Sequence, residues 1–109
     1  MAETLSVDEA RELLEQVRLE NEADLAHARE TIARGAEDRS ATENLTDEMT
    51  TARYMESDAS SILGRVAEAF ARIESGTYGH CEVCGKMIAE DRLRLRPYVS
   101  TCISCAGRK

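Results

Sequence analysis

Cys81-Glu-Val-Cys84 and Cys102-Ile-Ser-Cys105 decide how the last third of this 109-residue sequence folds. Seventeen residues separate the two pairs, giving the pattern C-x2-C-x17-C-x2-C. That is the spacing of a four-thiolate zinc site. Zn(II) has no geometric preference from its d electrons and closes a tetrahedron from four thiolates. Two residues between paired cysteines allow one tight turn to aim both sulfurs at one ion. Gly85 follows the first pair, where such a turn needs a positive φ. Four sulfurs leave no open position for water or substrate. The expected role of Cys81, Cys84, Cys102 and Cys105 is therefore to hold one structural zinc ion.

Three other uses of four cysteines compete with that reading. Disulfides suit oxidising compartments, but no apolar signal segment opens the sequence, so a reducing cytoplasm is the expectation. A thioredoxin-like pair needs one C-x-x-C beside a βαβ unit, for which the segment is too short. An iron–sulfur cluster also takes four cysteines, usually at other spacings. His80, beside Cys81, and His27, far upstream, read as surface residues because four thiolates already saturate the ion.

The rest of the chain reads as solvated helix. Aromatics are limited to Phe70, Tyr54, Tyr78 and Tyr98, Pro97 is the only proline, and 32% of residues are charged. That composition suits long helices with a thin apolar seam. No apolar stretch approaches transmembrane length, so no membrane association is expected. Residues 1–74 carry 18 acids against 8 bases, whereas residues 75–109 carry 3 acids against 6 bases. An acidic helical body argues against wrapping DNA, whose binding depends on neutralising phosphates. It suits a partner with a basic groove or channel.

Ser6-Val-Asp-Glu9 reads as a capping box that opens a helix from about Val7 to Arg34, with Gly35 as its C-terminal cap. Its seam is Ala10, Leu14, Val17, Asn21, Leu25, Ala28 and Ile32, at near-heptad spacing. Asn21 is placed to fix register. Ser40-Ala-Thr-Glu43 reads as a second capping box, opening a helix that runs to about Ser75 and is closed by Gly76. The second seam is Met49, Ala52, Met55, Ala59, Ile62, Val66, Ala69 and Ile73. A short connection forces the two helices together as an antiparallel hairpin. Use of the seams for dimerisation is the alternative. The expected organisation is a tail over residues 1–5, a coiled-coil hairpin over 6–75 with its tip at about 35–40, and a zinc module over 76–109. The fold class is thus mainly α, a long antiparallel coiled-coil hairpin with a small C4 zinc finger, and the chain is expected to be a monomer.

The junction is more specific than either part. It runs Ala71-Arg-Ile-Glu-Ser-Gly-Thr-Tyr-Gly-His-Cys-Glu-Val-Cys-Gly85, continues through Met87-Ile88, Arg92-Leu93 and Arg96-Pro97, and ends at Cys102-x-x-Cys105. This resembles the DksA/TraR family of bacterial zinc-finger transcription regulators. The resemblance is strong from about Val66 to Cys105 and mainly architectural over residues 7–65. It implies a cytoplasmic protein that binds RNA polymerase instead of a promoter sequence, with the hairpin in the secondary channel and the zinc module at the channel rim. It also implies an acidic tip. The family's longer members carry Asp-x-x-Asp-x-Ala there; this chain has Gly35-Ala-Glu-Asp38-Arg39-Ser40. Asp38 matches the second aspartate, while Gly35 and Ser40 replace the first aspartate and the alanine. Glu37 is the nearest replacement acid. Glu37, Asp38, Arg39 and Ser40 are therefore the candidate polymerase-binding tip.

Arg92, Arg94 and Arg96 form a basic run between the cysteine pairs. They are candidate partner contacts, or else they solvate a strand face. Two further functions stay open: a nucleic-acid-binding zinc finger, and a non-catalytic coiled-coil adaptor. No nucleophile–base pair stands in a recognisable context and the metal site is closed, so an enzyme is not expected.

Overall fold

Alternating three- and four-residue apolar spacing is realised as two long helices. In the computed structural model, which describes residues 5–37 and 43–107, α1 spans Val7–Glu37 and α2 spans Glu43–Ser75. A six-residue helix, α3, spans Glu90–Leu95, and a single 3-10 turn covers Ile103–Cys105. The described residues form no β-strand beyond one isolated antiparallel bridge, His80 to Met87. No described helix is long and apolar enough to cross a membrane.

The chain divides into two compact units. The first unites the start of α1, up to Val17, with everything from Gly64 onward. Its core contains Leu5, Ala10 and Leu14 from the start of the chain, Val66, Ala69 and Ile73 from α2, and Tyr78, Ile88 and Leu93 from the C-terminal module. Leu14, Val66, Ile88 and Leu93 are the largest side chains fully removed from water. At roughly 1.5–3 kcal/mol for each large apolar side chain, these four are a main source of cohesion in a chain so poor in aromatics. Exposed ion pairs at the surface of the unit, Arg11 to Glu74 at 3.4 Å and Arg94 to Glu9 at 3.1 Å, add far less.

The second unit comprises residues 18–63, the remainder of α1 and α2. Ala28, Ala52 and Ala59 are buried here, and their small side chains let the two helices approach closely. Arg29 pairs with Glu56 at 3.2 Å, and Gly35 lies against Met49. Ascending positions on α1 therefore meet descending positions on α2, which makes the pair antiparallel. The seam expected on α1 is buried or half-buried throughout, Asn21 included. On α2 only Met55 of the expected seam is exposed, at 37%.

Helix ends depart from expectation in two places. Gly35 does not end α1, which continues to Glu37. Its missing side chain serves contact instead, because a Cβ there would collide with Sδ and Cγ of Met49. The box at Ser6 is half realised: the Glu9 N–H donates to Ser6 Oγ at 3.2 Å, but Glu9 Oε1 accepts from the Ser6 hydroxyl at 3.3 Å instead of returning to its backbone. Gly76 closes α2 with φ of 81°, as expected. The expected box at residues 40–43 reaches outside the described residues.

Candidate metal centre

Two knuckles carry the thiols. In the first, the Gly85 N–H donates to Cys81 O at 2.8 Å and the Cys81 N–H to Lys86 O at 2.8 Å. Gly85 adopts φ of 78°, the left-handed conformation that a side chain disfavours. In the second, the Cys105 N–H donates to Cys102 O at 3.1 Å within the 3-10 turn. The knuckles are joined directly, since the Glu82 N–H donates to Ser100 O at 2.9 Å and the Ser100 hydroxyl to Glu82 Oε2 at 2.7 Å.

This framework gathers all four Sγ atoms within 4.8 Å of one another. Cys84 and Cys102 approach to 3.7 Å, and all four cysteines are free thiols. A disulfide would need sulfurs at about 2.05 Å. A tetrahedron of Zn–S bonds near 2.3 Å has sulfur–sulfur edges of about 3.8 Å, so the donor set fits a single tetrahedral ion. Cys81 and Cys105 are buried, Cys102 is partly so, and Cys84 faces solvent. His80 and His27 are exposed.

Crowding sets the electrostatics. Burial pushes Cys81 up, but N–H groups of Cys84, Cys102 and Val83 aimed at its sulfur outweigh burial and bring it down to about 6. Cys102 is likewise lowered, with burial opposed first by the N–H of Cys105. Cys105 is pushed up to about 12 by burial and then by the adjacent thiols. The cluster therefore gives up its first protons readily and holds its last, as coupled sites do. A dication removes that conflict, because it stabilises all four thiolates at once.

The arginine run is not on a strand. Arg92, Arg94 and Arg96 lie on or just after α3, and two of them have partners within the chain. The Arg92 Nε donates to Thr101 O at 2.9 Å, and Arg94 pairs with Glu90 at 2.7 Å as well as with Glu9. Arg96 is exposed and, with Arg92, borders a groove that also includes Met87, Leu95, Cys102 and Ile103. Helical spacing separates Arg94 from the other two, which a run of alternating arginines does not reveal without knowing that the segment is helical. Of the candidate tip, Glu37 is the last residue of α1, and Asp38, Arg39 and Ser40 lie outside the described residues.

Sequence reasoning missed the residues that brace the centre. Tyr78 is buried, and its hydroxyl donates to Pro97 O at 2.8 Å. Arg72, near the end of α2, donates to Val99 O at 3.4 Å. Their targets are backbone carbonyls, which leave no mark in a side-chain pattern.

A helical hairpin carrying a closed four-thiolate site defines a C4 zinc-finger protein. Residues 76–109 match the family model of the prokaryotic dksA/traR C4-type zinc finger, in agreement with the resemblance read from the junction. The module is a finger of that family, and its cofactor is zinc. An uncharacterized protein of Aquifex aeolicus (strain VF5) is 46% identical over 44 residues, a stretch covering 40% of this chain and 30% of that protein. The solved structure of transcription factor DksA2 from Pseudomonas aeruginosa superposes with a TM-score of 0.79 at 24% identity. That match covers 93% of this chain and 80% of DksA2, and at such identity it shows the fold.

Proposed function

We infer that this protein is a zinc-dependent transcription regulator that acts on RNA polymerase itself. The observation that carries the reading is the combination of a DksA2-like fold over 93% of the chain with a DksA/TraR finger at residues 76–109. In this reading the hairpin enters the secondary channel and its tip, Glu37-Asp38-Arg39-Ser40, alters initiation. The finger over 76–109 holds the hairpin's base at the channel rim. The acidic balance of residues 1–74 supports entry into a basic channel. The commitment of Arg92 and Arg94 to partners within the chain weighs against a nucleic-acid-binding finger, which needs its cations free for phosphates.

The test is capture of the host's core RNA polymerase by the tagged, zinc-loaded protein, with and without a known secondary-channel ligand. Binding without DNA that the competitor abolishes is expected. The tip assignment predicts that Glu37→Ala with Asp38→Ala keeps binding but loses the effect on initiation. Failure to bind polymerase at micromolar protein, or salt-sensitive binding to duplex DNA alone, would overturn the reading.

A further inference from the structure

Four carbonyls of residues 97–101 accept hydrogen bonds from four different places in the first unit. Pro97 O accepts from Tyr78, Val99 O from Arg72, Ser100 O from the Glu82 N–H and Thr101 O from Arg92. Of the three side-chain donors, Arg92 is the one whose acceptor immediately precedes a metal ligand, Thr101 before Cys102. The Thr101 carbonyl and the Cys102 N–H belong to one planar peptide unit, so fixing that oxygen fixes the Cα from which the Cys102 thiol projects. With Arg92 in place, Thr101 is buried, only 8% exposed. The donor is charged and its 2.9 Å bond is short, which makes it one of the stronger kinds of hydrogen bond.

We propose that Arg92 is a positioning residue for the metal centre. It acts through the Thr101–Cys102 peptide plane to hold the Cys102 thiolate in the donor tetrahedron. Its cation also borders the same groove as Cys102. A four-thiolate zinc centre that includes Cys102 would carry a formal charge of about −2. Arg96 separates the two contributions. It lines the same groove with the same charge, but its side chain is exposed and braces no ligand-bearing peptide.

The experiment follows zinc transfer from the full-length, zinc-loaded protein to a chromophoric chelator. Arg92→Ala should speed transfer about 10–100-fold, the usual effect of losing an outer partner of a metal ligand. Arg96→Ala should leave it unchanged, with far-UV circular dichroism the same in both variants. In cobalt-substituted protein, Arg92→Ala should shift the thiolate-to-metal and d–d absorption bands, whereas Arg96→Ala should not. Wild-type transfer and spectra in Arg92→Ala, or equal acceleration in Arg96→Ala, would overturn the proposal. If Arg92→Ala does not fold, Arg92→Lys and Arg96→Lys decide it. Lysine keeps the charge and loses the guanidinium geometry, so faster transfer in Arg92→Lys alone sustains the proposal, and equal rates overturn it.

Discussion

A methyl group at position 35 would meet Sδ and Cγ of Met49, so Gly35→Ala sets two effects against each other. Alanine is worth about 1 kcal/mol over glycine in a helix interior. Overpacking a close contact costs about 1–3 kcal/mol, reduced here because a methionine side chain can shift. Net destabilisation of about 1 kcal/mol is expected in urea unfolding. In a Met49→Ala background, where the collision is gone, the same change should stabilise. Tyr78 offers a second test. Burial raises its hydroxyl to about 12 from an ordinary 10.0, with Arg72 opposing. A raised folded value stabilises fully below pH 10 and loses that contribution as pH climbs through 12. Ultraviolet titration should therefore show a phenolate phase near pH 12 that Tyr78→Phe removes. Losing the buried bond to Pro97 should cost about 1 kcal/mol.

Among elements, the two long helices were legible because their seams persist over many turns, well beyond the 11–18 residues that periodicity needs. α3 was not, because six residues of Glu-Asp-Arg-Leu-Arg-Leu fit a helix and an alternating strand equally well. Gly35 misled for a different reason. Glycine serves both to end a helix and to let two helices touch, and only the position of Met49 tells which. The metal ligands were legible from spacing, whereas their braces were not. The start of α1 is also open to a test. Ser6→Ala removes the acceptor of the Glu9 N–H and should cost about 0.5–1 kcal/mol, given the long 3.2 Å bond. A double-mutant cycle of Glu9 and Arg94 should return little coupling, as both side chains are about half exposed. Denaturant midpoints of the zinc-loaded variants measure both.

For the whole molecule, the metal governs more than the finger. The sequence alone suggests that chelation unfolds residues 76–105 and leaves much of the hairpin helical. The first unit, however, shares one core among residues 5–17, 64–75 and the finger. Removing zinc should therefore expose those helix ends as well, while residues 18–37 and 43–63 stay helical. Hydrogen exchange with and without chelator should show protection lost in the first group and kept in the second. Uniform loss would mean that the units do not separate. Acid should act as chelation does, because thiolates must take up protons as pH falls and zinc affinity falls with them.

The first unit is assembled from the two ends of the chain, and that has a consequence for synthesis. As the ribosome releases Ala10 and Leu14, the Ile88 and Leu93 that will share their core have not been made. At about 5–20 residues per second, roughly 4–18 seconds pass between residue 17 and the last cysteine. Contacts within residues 18–63 are closer in sequence and need no residue of the finger. Until Cys105 emerges, Ala10 and Leu14 lack the partners that share their core, and metal capture should end that exposed interval.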